Sequence, residues 1–157
     1  MSKISPCLWF NGQAEEAAKL YISLIGDGEI TAISRYGDGM PFPAGTAMMV
    51  EFTLNGQRVQ GLNGGPHFPF TEAISLSVNC DDQAEVDRLW DGLIAGGGSP
   101  SQCGWLKDQF GVSWQIVPSA MGRMQKEGTP EQVGRMMGAM MKMAKLDVAA
   151  LEAAFQG

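Results

Sequence analysis

The spacing of apolar residues changes period several times along the chain. Ile4 to Phe10 is a short strand-like run, and from Ala14 the residues Ala14, Ala17, Ala18, Tyr21, Leu24 and Ile25 recur every three or four positions. That spacing predicts a helix with one buried stripe. Asn11 stands where a side-chain oxygen would cap it, and Gly26 and Gly28 end it. Ile30 to Tyr36, Ala47 to Leu54 and Arg58 to Leu62 then read as strands, separated by Gly/Pro-rich segments. Asn55-Gly56 between the last two is a hairpin signal, because both residue types tolerate positive φ.

The same order returns in the second half. Ala73 to Asn79 reads as a strand, and Asp81 and Asp82 lead into a helix with Val86, Leu89, Trp90, Leu93 and Ile94 on one side. Gly96 to Gly98 close it, and short runs follow around Ser101, over Cys103 to Lys107 and over Val112 to Val117. The text Gln-Ala-Glu at 13–15 recurs at 83–85, an offset of 70 residues. Leu20, Tyr21, Leu24 and Ile25 correspond to Leu89, Trp90, Leu93 and Ile94. Recurrence of the whole strand, helix, three-strand order reads as an internal duplication.

From Ser119 the pattern is helical throughout. Thr129, Pro130 and Glu131 supply a cap, a first-turn proline and an early carboxylate. Val133, Met136, Met137, Met140 and Met141 form a sulfur-rich stripe, read as a flexible packing surface against the sheet or a second subunit. Asp147 begins a last short helix, with Leu146 and Leu151 placed as a hydrophobic staple.

Composition narrows the function classes. With 157 residues the chain is one domain able to build a core without metal or disulfide support. No apolar run approaches the roughly 20 residues that cross a bilayer. A net charge of -6 and the lack of a Lys/Arg cluster disfavour nucleic acid and anionic membrane. Cys7, Cys80 and Cys103 lack CxxC spacing, and Met1 to Ile4 leads straight into a strand-like run without a signal peptide, so a cytoplasmic location is expected.

Two stretches, GGPHFPFTEAISLSVNCDDQAEVDRLW from Gly64 to Trp90 and CGWLKDQFGVSWQIVP from Cys103 to Pro118, resemble the PhnB-like group of the vicinal oxygen chelate superfamily. That superfamily includes glyoxalases, bleomycin-resistance proteins and extradiol dioxygenases, and the group often carries the label 3-demethylubiquinone-9 3-methyltransferase. The resemblance implies an α+β fold of two βαβββ modules, at 1–66 and 67–118, whose curved mixed sheets form a cup, with a helical extension at 119–157. Enzyme members place four metal ligands on the cup's inner wall. The matching positions here are Ser5, Gln60, Ala73 and Gln115. They bring neither imidazole nor carboxylate, a poor set for a divalent ion, so no metal is expected. Gly37, Gly39 and Gly45 open no helix as a nucleotide-type cofactor would want, so no cofactor is expected either.

Strand alternation sorts the faces. Ile74, Leu76 and Val78 should meet the helix layer, leaving Ala73, Ser75, Ser77 and Asn79 on the polar side, with Ser113, Gln115 and Val117 sharing the corresponding face of the last strand. Ser5, Cys7, Trp9, Arg58 and Gln60 would join them, and Phe68, Phe70 and Trp105 could wall the pocket. Hydroxyls, amides, a guanidinium and an indole suit a neutral or anionic organic ligand. His67 could serve as a base if Glu72 oriented it, although a linker histidine also fits a plain turn. Cys103 could supply a nucleophile, or pack as a small apolar residue. Asp108 is expected to cap the turn to Gly111. The reading is a metal-independent small-molecule binding protein acting as a homodimer. The alternatives are an enzyme using Glu72, His67 or Gln115 on a small substrate, and an interaction module whose Met-rich tail binds a partner.

Overall fold

Alternating and helical periods give the elements they predict, in the expected order. The computed structural model describes residues 2–157; Met1, which stands ahead of the first strand-like run, lies outside them. The elements are β1 (Cys7–Phe10), α1 (Ala14–Ile25), β2 (Ile30–Arg35), β3 (Ala47–Leu54), β4 (Gln57–Asn63), β5 (Leu76–Cys80), α2 (Gln83–Ile94), β6 (Ser99–Pro100), β7 (Trp105–Lys107) and β8 (Ser113–Pro118). Three helices follow: α3 (Ser119–Glu127), α4 (Pro130–Met140) and α5 (Val148–Gln156). The strands form two mixed sheets with the same winding, β1-β4-β3-β2 and β5-β8-β7-β6, in which only the β1/β4 and β5/β8 pairs are parallel. These are the two βαβββ modules of the α+β class implied by the resemblance. The chain divides into two compact units between Phe70 and Thr71.

In the first unit α1 buries Ala14, Ala17, Ala18 and Tyr21 against Phe10, Val50, Phe52 and Val59 of the sheet. Small residues on the helix let it sit close: a Cβ at Gly61 would lie 3.1 Å from that of Ala14. The expected cap is corrected. Asn11 is exposed, and the Ala14 amide instead donates to Asn63 Oδ1 at 2.9 Å. Asn63 is only 3% exposed; its Nδ2 donates to the Ala47 carbonyl and its own carbonyl accepts from the Tyr36 hydroxyl. The end of β4 reaches the helix start from inside, where a loop asparagine cannot. Asn55 and Gly56 take φ of 47° and 81°, as the hairpin requires.

In the second unit α2 is capped as expected, Asp82 accepting from the Glu85 amide at 2.9 Å. Val86, Leu89, Trp90 and Leu93 are buried, as are Leu106, Trp114 and Ile116 of the sheet. Asp108 does more than cap a turn. Its Oδ1 accepts from the Phe110 and Val112 amides, and its Oδ2 from Trp114 Nε1 at 2.9 Å. The strand expected from Ala73 begins at Leu76, and Ile74 is 64% exposed instead of meeting the helix layer. The reason is the length of its neighbour: β8 begins at Ser113, and the first β5 pair is Leu76 with Trp114.

The Met stripe packs mainly within the tail, against a core that also takes in Val117 of β8, while Met141 is 68% exposed. Met121, Met124, Met136, Leu146 and Leu151 are buried together, with Met137, Met140 and Met143 packed against them. A capping box joins Thr129 to Gln132, and Asp147 accepts from the Ala150 amide. Gln83 ties this core to α2: its Nε2 donates to the Leu146 carbonyl at 3.0 Å and its Oε1 accepts from the Val148 amide at 2.7 Å. The Cys103 and Gly104 amides donate to the Met143 and Ala144 carbonyls, both at 2.8 Å, and Lys145 pairs with Asp87. No helix among the described residues is long and apolar enough to cross a membrane.

Candidate functional site

Cross-strand partners share a face of a sheet, so the register assigns the side opposite each helix. In the first unit Cys7 pairs with Gln60, Trp9 with Leu62, Thr53 with Arg58 and Glu51 with Gln60. Cys7, Trp9, Arg58 and Gln60 therefore lie together on the face away from α1, as the sequence reading expected. Glu51, which that reading missed, lies with them, and Gln60 Nε2 donates to its Oε1 at 3.5 Å. Trp9 Nε1 donates to the Gly65 carbonyl at 2.9 Å, and Phe68, 65% exposed, meets the indole edge-on at 4.9 Å. Phe70 is edge-on to Phe10, the β1 residue that alternates to the α1 side. Ser5 is half-buried ahead of β1, and His67 is exposed in the segment after β4.

In the second unit two rows cross the open face of the sheet. Ser99, Lys107 and Ser113 form one; Trp105, Gln115 and Ser77 form the next. Gln115 Nε2 donates to Ser75 Oγ at 2.9 Å, so the two predicted residues are bonded to one another. A cleft of about 600 Å³ lies over the first row, lined among others by Glu72, Ser101, Cys103, Trp105, Lys107 and Ser113. Glu72 forms an ion pair with Lys107, which holds its carboxyl below the usual carboxylate range. Both side chains remain well exposed. Ser113 is only 2% exposed, and its hydroxyl has no hydrogen-bond partner among the described residues. Cys103 takes a left-handed backbone, φ 59°, where its amide turns to the tail.

Glu72, Cys103 and Trp105 are thus brought to one cleft, with Ser75 and Gln115 beside it, while the other predicted residues belong to the first unit. Sequence reasoning passed over Lys107 and Ser101. It placed Ser113 on the right face without assigning it a role. A second hollow of about 690 Å³ lies among the tail helices, but its charged lining, Arg123, Glu127 and Glu152, is exposed and solvated.

Among the described residues no three His, Cys, Asp or Glu side chains come together as a metal site. The positions matched to metal ligands do not fit an ion on chemical grounds either. Gln60 and Gln115 offer only neutral amide oxygens, their nitrogens donating to Glu51 and Ser75, and Ala73 has no donor.

The sequence pattern of the 3-demethylubiquinone-9 3-methyltransferase family matches residues 2–117, which leaves α3 to α5 beyond the match. Among solved structures, a protein from Bacillus cereus with the same family description and the name PhnB is 37% identical, with a TM-score of 0.69 over 74% of this chain and 99% of that one. Protein PA1353 from Pseudomonas aeruginosa is 28% identical, with a TM-score of 0.60 over 75% of this chain and 98% of that one. No curated protein matches the chain.

Proposed function

The chain belongs to the 3-demethylubiquinone-9 3-methyltransferase family, and from that premise we propose that it binds a small organic molecule, without a metal ion, in the cleft over β6, β7 and β8. The observation that carries this reading is the buried, unpartnered hydroxyl of Ser113 among the cleft's lining residues. A buried polar group without a partner costs stability, and a ligand atom would satisfy it. The cleft's volume of about 600 Å³ falls in the range of small-molecule sites, and its lining mixes one indole with a few polar groups. The matched positions Ser5, Gln60, Ala73 and Gln115 carry neither imidazole nor carboxylate, a poor donor set for a divalent ion.

Binding is preferred to catalysis for a specific reason. Glu72 is the acid best placed for proton transfer, yet its pairing with Lys107 lowers its pKa and so disfavours the protonated form a general acid needs. The proposal includes a homodimer in the cytoplasm, to which exposed side chains such as Ile4, Phe68, Ile74 and Met141 could each contribute apolar contact. Native mass spectrometry of protein purified without added metal tests the reading. A retained organic mass on a metal-free dimer supports it. One tightly held transition metal per chain sinks it.

A further inference from the structure

We propose that the ligand of this cleft is a carboxylate attached to a flat organic body, with Lys107 and Ser113 as its anchors and Glu72 as the group it displaces. The inference rests on the binding reading above and adds the ligand's charge and shape.

Three observations meet at one place. Lys107 and Ser113 are register partners on the same face of β7 and β8, so an ammonium and a hydroxyl are carried by neighbouring positions of one face. Both are donors toward an anion, and the Ser113 hydroxyl has no acceptor among the described residues. Lys107 is already paired with a carboxylate, that of Glu72, which shows the chemistry its ammonium accepts.

Glu72 is an exchangeable partner. It lies in the exposed stretch before β5, outside the paired strands, and its pair with Lys107 faces solvent. Exposed ion pairs contribute little, so replacing one carboxylate by another costs little. The incoming carboxylate gains what Glu72 leaves unmade, a hydrogen bond from the buried Ser113 hydroxyl. Trp105 occupies the neighbouring row beside Gln115 and lines the same cleft, offering an indole surface to a flat body attached to the carboxylate. A chain of net charge -6 repels anions overall, so recognition of one requires a local cation such as Lys107.

Benzoate and its neutral isostere benzamide, titrated into the full-length protein with backbone amides followed by nuclear magnetic resonance, test the assignment. Benzoate should shift the Lys107 and Ser113 amides and bind at least about tenfold more tightly than benzamide. Lys107→Met should weaken benzoate by a similar factor. Glu72→Gln should tighten it, because the internal competitor is gone, an effect that a merely structural ion pair would not produce. Equal binding of benzoate and benzamide at the cleft overturns the carboxylate assignment and leaves the binding reading standing. Benzoate binding unchanged in both variants also overturns it. If neither probe shifts the cleft amides, this inference and the binding reading fall together.

Discussion

Trp9 occupies the space in which a side chain at Gly64 would stand: a Cβ there would lie 2.3 Å from the indole. With its Nε1 bonded to the Gly65 carbonyl and Phe68 against its edge, the ring is fixed on the open face of the first sheet. Gly64→Ala should therefore destabilise the chain by about 1–3 kcal/mol through overpacking. Chemical denaturation measures the loss, and near-ultraviolet circular dichroism should report a displaced indole. An unchanged midpoint and spectrum would show that the contact is slack.

Ser113→Ala should leave stability unchanged or raise it by roughly 1 kcal/mol, since it removes a buried hydroxyl with no partner. Benzoate binding should weaken at the same time. Thermal unfolding and the titration above, run on one sample, check the opposite signs. A clear loss of stability would mean that the hydroxyl holds the fold.

Asp108→Ala should cost about 3 kcal/mol or more, because it strands the Phe110 and Val112 amides and the indole nitrogen of buried Trp114. Urea unfolding followed by tryptophan emission is the measurement. A loss under about 1 kcal/mol would show that water can replace the carboxylate.

Gln83→Ala should loosen the tail, and Gln13→Ala, its counterpart in the first repeat, should not. Gln83 holds both the Leu146 carbonyl and the Val148 amide, whereas the Gln13 side chain makes no cap bond and is exposed. Hydrogen exchange of α5 amides should accelerate several-fold in the first variant only. Equal exchange in both would place the anchorage elsewhere.

Burial pushes the Cys80 thiol up to about 12, from an ordinary value of 9.0. The folded state thus favours the neutral thiol over the thiolate. Its contribution to stability is complete below pH 9 and is lost as pH rises from there toward 12. Cys80→Ala should flatten this alkaline decline, seen as a smaller fall in melting temperature across that window. In the native protein at neutral pH a thiol reagent should react at exposed Cys7 and spare Cys80.

How far the sequence could be read depended on the range of each interaction. The caps at Asp82, Thr129 and Asp147 and the Asn55-Gly56 turn are settled within a few residues, and all were legible. The α1 cap comes from Asn63, 49 positions from Ala14, and no local signal could name it over Asn11. The start of β5 depends on where β8 begins, so the exposure of Ile74 could not be read from its own neighbours. Alternation did place Ser113 and Gln115 on one face, but burial of the Ser113 hydroxyl and the Glu72–Lys107 pairing depend on tertiary contacts. Glu51 was hidden for a related reason: within an apolar strand, its partner Gln60 is known only from the register.

The segment that carries Cys103 and Gly104 serves two structures at once. Its amides hold the Met143 and Ala144 carbonyls of the tail, while Cys103 and the following Trp105 line the cleft. Where a ligand stiffens this segment, tail attachment and ligand affinity become reciprocal quantities: each raises the other by the same factor. Under the proposed binding reading, the residues beyond the family match set the affinity of the cleft, and shortening the chain after Pro118 should change how tightly it holds a ligand without removing any group proposed to touch it.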